Sequence, residues 1–241
     1  MPRFYCPQPL VPGTTIALPE AVAHHIAVVR LAPGELITLF NGEGGEVQAS
    51  IVSVAKRSVT AEVQAHLARE VELPYAVTLA QALPEASKMD WIIEKAIELG
   101  AAGIVPLAAQ RCVVRLSAER AEKKLAHWQA IIVSASEQSG RNRLARLDGL
   151  ADYKQWISQP DQQRRILLSP RATESLADWA RHQPPQAVTL VIGPEGGLTN
   201  EEEDAAQASG ALFLAMGPRI LRTETAGLAA LSTLNALWGG V

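Results

Sequence analysis

The segment Leu214–Leu231, LAMGPRILRTETAGLAAL, places Arg219, Arg222 and Glu224 between an apolar strand and a helix of small apolar residues. A sequence built only for packing would stay apolar there, because burying a charge without a partner is costly. Charges in that place suit a ligand pocket. A second stretch, LVIGPEGGLTNEEE from Leu190 to Glu203, joins a buried strand to a helix through glycines. It contains neither GxGxxG nor GxxxxGK[ST], so it matches neither a dinucleotide fingerprint nor a P-loop. Thr199 with Glu202 three residues on makes a capping box that fills the helix's N-terminal donors from within. Glu195, Glu201, Glu202, Glu203 and Asp204 crowd that end with negative charge, which would repel a phosphate. Two readings stand: a well-capped strand-to-helix turn, or a loop whose Gly193, Gly196 and Gly197 leave bare backbone against a flat, neutral or cationic ligand. An adenine, a ribose or a sulfonium fits the second better than a pyrophosphate does.

The remaining positive charge is clustered. RCVVR holds Arg111 and Arg115, SGRNRLAR holds Arg141, Arg143 and Arg146, and PRILR holds Arg219 and Arg222. The formal net charge of −3 argues against bulk attraction to nucleic acid but leaves room for such local patches. Arg3 beside Phe4 and Tyr5 suits phosphate and unstacked bases, or is simply solvated. Lys88 is either an RNA contact or a plain exposed lysine. His24 and His25 stand too close in sequence to read as a metal pair. Cys6 and Cys112 are far apart, so neither a disulfide framework nor a zinc site is expected, and no metal is expected at all.

The elements that must position these groups fall into two rhythms. Over Thr15 to about His66 the pattern is short and alternating (ELITLF, EVQASIVSV, SVTAEVQAH) with Asn41-Gly42 at a hairpin and one helix around AVAHHIAVVRL. This predicts a small β-rich unit over residues 1–70. AREVELP at 68–74 reads as the linker. From residue 74 to 241 buried-type strands AVTLAQAL, GIVPL, RRILLS, AVTLVIG and ALFLAM alternate with helical patterns, including KMDWIIEKAIELG and a longer helix from about Ser117 to Ser136. That alternation predicts an α/β domain with a largely parallel sheet covered on both faces. The final helix, AGLAALSTLNALW, has almost no face suited to water, so it is buried or shared between subunits. No stretch reaches the length of a membrane span, and no N-terminal run is apolar enough for a signal peptide. A cytoplasmic protein is expected.

With GPEGG and GPRILRTETA one helix and one strand apart, the chain resembles the SPOUT superfamily. It is most similar to the RsmE-like family, which methylates uracil N3 in 16S ribosomal RNA. RFY at 3–5, HHIAVVRL at 24–31, KMDWIIEKAIELG at 88–100 and SEQSGR at 136–141 extend the resemblance over nearly the whole chain, in order. It implies an N-terminal PUA-like β-barrel that helps hold RNA, and a C-terminal α/β domain knotted around S-adenosylmethionine. It also implies a homodimer whose substrate is 16S ribosomal RNA or the small ribosomal subunit. Under it the cofactor-binding residues are Leu168, Ser169, Ile192, Gly193, Pro194, Glu195, Gly196, Gly197, Leu214, Met216, Gly217, Arg219, Ile220, Leu221, Thr225 and Ala226. Ile220 and Leu221 would flank the adenine, and Thr225 either belongs to that site or caps the final helix.

The chemistry implied needs the imide N3 proton removed, since the neutral nitrogen has no free lone pair for a methyl carbon. The resulting anion spreads over O2, N3 and O4, and a guanidinium facing those oxygens lowers the cost of forming it. Arg222, Arg141 and Glu224 are the residues the resemblance brings to that step. Glu224 alternatively pairs with Arg222 and only pins the loop, and Arg141 turns either to the uracil or to a phosphate. Arg3, Arg30, Lys88, Arg111, Arg143 and Arg146 are the expected RNA contacts. The rival readings are a non-catalytic RNA-binding module acting in ribosome assembly and a nucleotide-dependent oxidoreductase, against which the missing GxGxxG speaks.

Overall fold

The computed structural model describes residues 1–56 and 58–240. The chain divides into two compact units, one of Met1–Glu72 with Ser136–Leu144, the other of Leu73–Ala135 with Ala145–Val241. The chain passes from the first unit to the second between Glu72 and Leu73. The inclusion of 136–144 with the first unit was not foreseen, because it depends on contacts remote in sequence.

In the first unit β1 (Arg3–Tyr5), β2 (Thr15–Ala17), α1 (Glu20–Val28), β3 (Leu36–Phe40), β4 (Glu46–Val54) and β5 (Val59–Leu67) follow in order. The sheet runs β1-β3-β4-β5-β2, antiparallel except where β1 lies parallel to β3. Alternation in β3, β4 and β5 turns Ile37, Leu39, Val47, Ala49, Ile51, Ala61 and Val63 inward, where they pack with Phe4 and with Val22 and Ile26 of α1. The pairing of β4 with β5 shifts register between Gln48 and Ala49 and between Ile51 and Ser53, irregularities that bend such ribbons.

The second unit contains β6 (Val77–Ala82), α2 (Lys88–Glu98), β7 (Gly103–Ala108), most of α3 (Ala118–Ser139), β8 (Arg146–Leu147), β9 (Ala151–Asp152), α4 (Tyr153–Ile157), β10 (Arg164–Leu168), α5 (Leu176–Arg181), β11 (Val188–Ile192), α6 (Asn200–Ala208), β12 (Leu212–Leu214) and α7 (Thr223–Trp238). All strand pairs are parallel, in the order β12-β10-β11-β6-β7-β8 with β9 beside β7. Every residue of β6 and β11 is buried, as expected of strands covered on both faces. The five strands expected from buried runs are β6, β7, β10, β11 and β12; the two-residue β8 and β9 and the short α4 and α5 carry too little pattern to be read. Leu168, Ile192 and Leu214 end neighbouring strands on one edge, with Gln81 of β6 in register with Ile192. Loops leaving that carboxyl edge form the site.

α7 buries Leu228, Leu231, Leu234 and Trp238 and packs on β6, β11, α2 and α5. Thr225, Ser232, Ala236 and Leu237 remain exposed. Its N-cap is Arg222, through backbone geometry alone, and not Thr225.

Candidate functional site

At the carboxyl edge lies an open cavity of about 510 Å³ between the glycine loop after β11 and the loop Ala215–Arg222 after β12. Leu168, Ser169, Ile192, Gly193, Pro194, Glu195, Gly196, Gly197, Met216, Gly217, Arg219, Ile220, Leu221 and Ala226 line it, all of them expected from the sequence. Leu214 and Thr225 do not: Leu214 is buried within β12, and Thr225 stands exposed on the first turn of α7. Arg111, Pro170, Arg171, Leu198, Glu203, Arg222 and Thr223 also contribute to the wall. Arg171, three residues beyond the end of β10, was not singled out from the sequence. Ile220 is 84 % exposed at the cavity, an apolar edge left open to water.

The glycine loop is held from several sides. Thr199 and Glu202 make the expected capping box, and the other Glu202 oxygen, Oε1, accepts the Gln110 N–H at 2.7 Å. The Arg111 guanidinium donates to the carbonyls of Gly196 (3.0 Å) and Leu198 (3.2 Å). Lys88, at the start of α2, donates to Glu195 at 2.8 Å and lies 3.7 Å from Glu224. Its ammonium pKa is raised by the Glu195 hydrogen bond, while burial pulls the other way. Burial would raise the Glu195 carboxyl, but Lys88 and the Glu85 N–H outweigh it and hold it below the usual carboxylate range. Arg171 pairs with Glu203 at 3.2 Å across the cavity wall.

These contacts revise several expectations. Lys88 and Arg111, expected at RNA, are engaged by the glycine loop. Glu224 does not pair with Arg222; it stands beside Lys88 and does not line the cavity. Arg222 and Arg219 make no side-chain hydrogen bond or ion pair among the described residues, so the loop presents two uncommitted guanidinium groups at the cavity.

In the first unit the arginines behave differently. Arg3, expected at RNA, is ion-paired with Glu46 at 2.5 Å, donates to the Arg141 carbonyl and to the Asn142 side chain, and lies over the Phe40 ring. Arg141, expected at the reaction, is 4 % exposed and grips Glu72 through Nε (3.1 Å) and Nη2 (2.5 Å). It is absent from the cavity wall. Arg30 is exposed at the end of α1, with φ 59°. Arg143 and, in the second unit, Arg146 are largely exposed, paired with Glu70 at 3.4 Å and Asp148 at 2.8 Å. Such exposed pairs contribute little to stability and leave the cations available.

The fold and the cavity define a parallel α/β unit with a pocket where such units take their ligands, accompanied by a small β-rich unit. The family described as an RNA methyltransferase domain matches residues 71–235, and that described as an RNA methyltransferase PUA domain matches residues 18–64. The chain belongs to the ribosomal RNA small subunit methyltransferase E family. It is 33 % identical to the Bacillus subtilis protein of that name, covering 90 % of this chain and 87 % of the relative. The Mycobacterium bovis protein of that name is 32 % identical, covering 89 % and 83 %. Among solved structures it is similar to the Neisseria gonorrhoeae ribosomal RNA small subunit methyltransferase E bound to S-adenosylmethionine, at 37 % identity and TM-score 0.92, covering 99 % of this chain and 98 % of the other.

The residues present fit that cofactor. The cavity has the volume of a small-molecule site. The peptide groups of Met216 to Leu221 take part in no hydrogen bond among the described residues, which leaves donors and acceptors for the edge of a base. Ile220 and Leu221 supply apolar surface for a ring.

Proposed function

We propose that this protein transfers a methyl group from S-adenosylmethionine to small-subunit ribosomal RNA, and that the target atom is N3 of a uracil. The observation that carries this reading is the uncommitted Arg222 guanidinium at the wall of a cavity whose loop peptides are unbonded. When bound, S-adenosylmethionine supplies an electrophilic methyl group on a positively charged sulfur. Arg222 faces the uracil and stabilises the charge that develops on its oxygens as N3 gives its proton to solvent water, since a guanidinium cannot accept it. The Arg111 clamp and the Lys88–Glu195 pair hold the cofactor loop, so that orientation, which can contribute on the order of 7–11 kcal/mol, is built in before binding. Arg30 and Arg143 of the first unit and Arg146 of the second contact RNA phosphates.

The protein acts as a homodimer. The exposed face of α7, Thr225, Ser232, Ala236 and Leu237, bounded by half-buried Ala229 and Thr233, offers small residues and one leucine for a second copy to cover. No helix among the described residues is long and apolar enough to cross a membrane, and the reading places the protein in the cytoplasm with the ribosome.

Mass spectrometry of small-subunit ribosomal RNA from cells lacking and regaining the protein tests the reaction. A single N3-methyluridine that disappears and returns is expected. An unchanged nucleoside profile overturns the reading.

A further inference from the structure

Two walls of the cavity, the glycine loop and the N-terminus of α7, are fastened by one side-chain relay. Thr223 Oγ1 lies 2.6 Å from the Gly193 carbonyl oxygen. Gln81 Nε2 lies 2.9 Å from Thr223 Oγ1 and 2.9 Å from the Ala82 carbonyl. The directions of these bonds are fixed by chemistry: a carbonyl only accepts, so the Thr223 hydroxyl donates to Gly193 and its lone pair accepts from Gln81. Turning the Gln81 amide over would set its oxygen against the Ala82 carbonyl, acceptor against acceptor.

Gln81 is fully buried in β6, one strand away from Ile192, and its Oε1 has no hydrogen-bond partner among the described residues. An apolar residue would cost less at that place. A polar group kept there acts through its donor, and that donor holds Thr223. One turn along α7, Gly227 permits the approach this needs, since a Cβ there would stand 2.8 Å from Leu79 Cδ1. Thr223 immediately follows Arg222, so the same hydroxyl that pins the cofactor loop also fixes the peptide from which the Arg222 guanidinium extends.

We propose that Thr223, braced from beneath by Gln81, is a positioning residue of the reaction: it sets the glycine loop and the Arg222 peptide at one separation, so that cofactor and substrate are presented together. The inference rests on the reading given under Proposed function. Three variants of the full chain test it, Thr223→Val, Thr223→Ser and Gln81→Met, with S-adenosylhomocysteine affinity by calorimetry and single-turnover transfer at saturating cofactor and RNA. For Thr223→Val we expect affinity and rate each to fall about tenfold, the size expected when a buried acceptor loses its donor. Thr223→Ser keeps the hydroxyl and restores both; Gln81→Met moves both the same way by less. A Thr223→Val protein that melts lower yet binds and reacts like the unmodified chain overturns the proposal, because the hydroxyl is then only structural. If Thr223→Val does not fold, wild-type affinity and rate in Gln81→Met overturn it equally. Failure of the unmodified protein to bind S-adenosylhomocysteine is a different result, which removes the cofactor reading and this inference with it.

Discussion

In the unit of Met1–Glu72 with Ser136–Leu144, Arg3, Arg69 and Arg141 direct their guanidinium groups at Glu46 and Glu72. In the other unit Arg219 and Arg222 line a cavity and meet no acceptor among the described residues. The same side chain thus serves two ends. In the first it ties a returning segment of chain, with Arg3 reaching Asn142 and Arg69 reaching the Gly140 carbonyl. In the second it is left without an acceptor, the place that we propose the substrate fills. A guanidinium whose donors are satisfied internally contributes to folding; one held uncommitted contributes to binding or catalysis.

The comparison breaks most sharply at Arg222. Arg222→Ala should lower single-turnover transfer by about 10²–10³-fold, the range for removing one preorganised donor to a developing anion. Binding of S-adenosylhomocysteine and the melting temperature should stay close to those of the unmodified chain, since the side chain holds nothing in place. A variant that transfers at the unmodified rate would mean that the loose guanidinium is idle and that the contrast has no functional content.

Arg141 gives the converse. Arg141→Met leaves Glu72 with a partly buried charge and should cost about 1.5–3 kcal/mol in urea titration, the worth of hydrogen bonds to a charged group. Glu72→Gln should cost a similar amount, and the double variant less than the sum, because both remove one interaction. If Arg141→Met instead leaves stability untouched and abolishes transfer, Arg141 belongs with Arg222, as its neighbourhood in SGRNR first suggested.

Arg111 tests the boundary between the two behaviours, for it is exposed and basic like an RNA contact yet clamps Gly196 and Leu198. Arg111→Ala should weaken S-adenosylhomocysteine by roughly fivefold, about one modest hydrogen bond, and leave the salt dependence of RNA binding as it was. A log-log salt slope flattened by about 0.7–0.9 would instead mark a lost phosphate contact.

These cases show what the sequence could and could not reveal. The buried runs from Val77, Gly103, Arg164, Val188 and Leu212 announced a parallel sheet because burial on both faces leaves continuous apolar strands. The capping box at Thr199 and the glycine loop were local patterns, readable within a dozen residues. Arg3 and Arg141 were not, since their partners Glu46 and Glu72 lie 43 and 69 residues away. Nothing beside RFY or SGR distinguishes a buried ion pair from a solvated cation. Gln81 and Thr223 escaped for the same reason, 142 residues apart and joined only by the fold. The one local hint was a glutamine inside the otherwise apolar run AVTLAQAL.

The smallest expected effect concerns pH and the first unit alone. Burial would raise the Glu46 carboxyl, but Arg3 and Arg69 together outweigh it and hold it below the ordinary glutamate range. A carboxyl depressed by folding adds stability that is fully present above its unfolded pKa, about 4.3 for glutamate, and lost as the pH falls through its folded value. Glu137 runs the other way: burial raises it, despite the Tyr5 N–H that it accepts, so the folded protein takes up that proton more readily than the unfolded chain. Acidification therefore gains stability at Glu137 as the pH falls through its raised folded value, and loses stability at Glu46 as the pH falls further through its lowered one. Glu46→Gln should lower the melting temperature at neutral pH and flatten its fall at acid pH, while Glu137→Gln should leave the acid fall in place. Parallel melting curves for the unmodified chain and Glu46→Gln below about pH 4 would show that Arg3 and Arg69 gain nothing from that carboxylate. The ionic tie that sets the first unit apart from the cavity arginines would then have to rest on Glu72 and Asn142 alone.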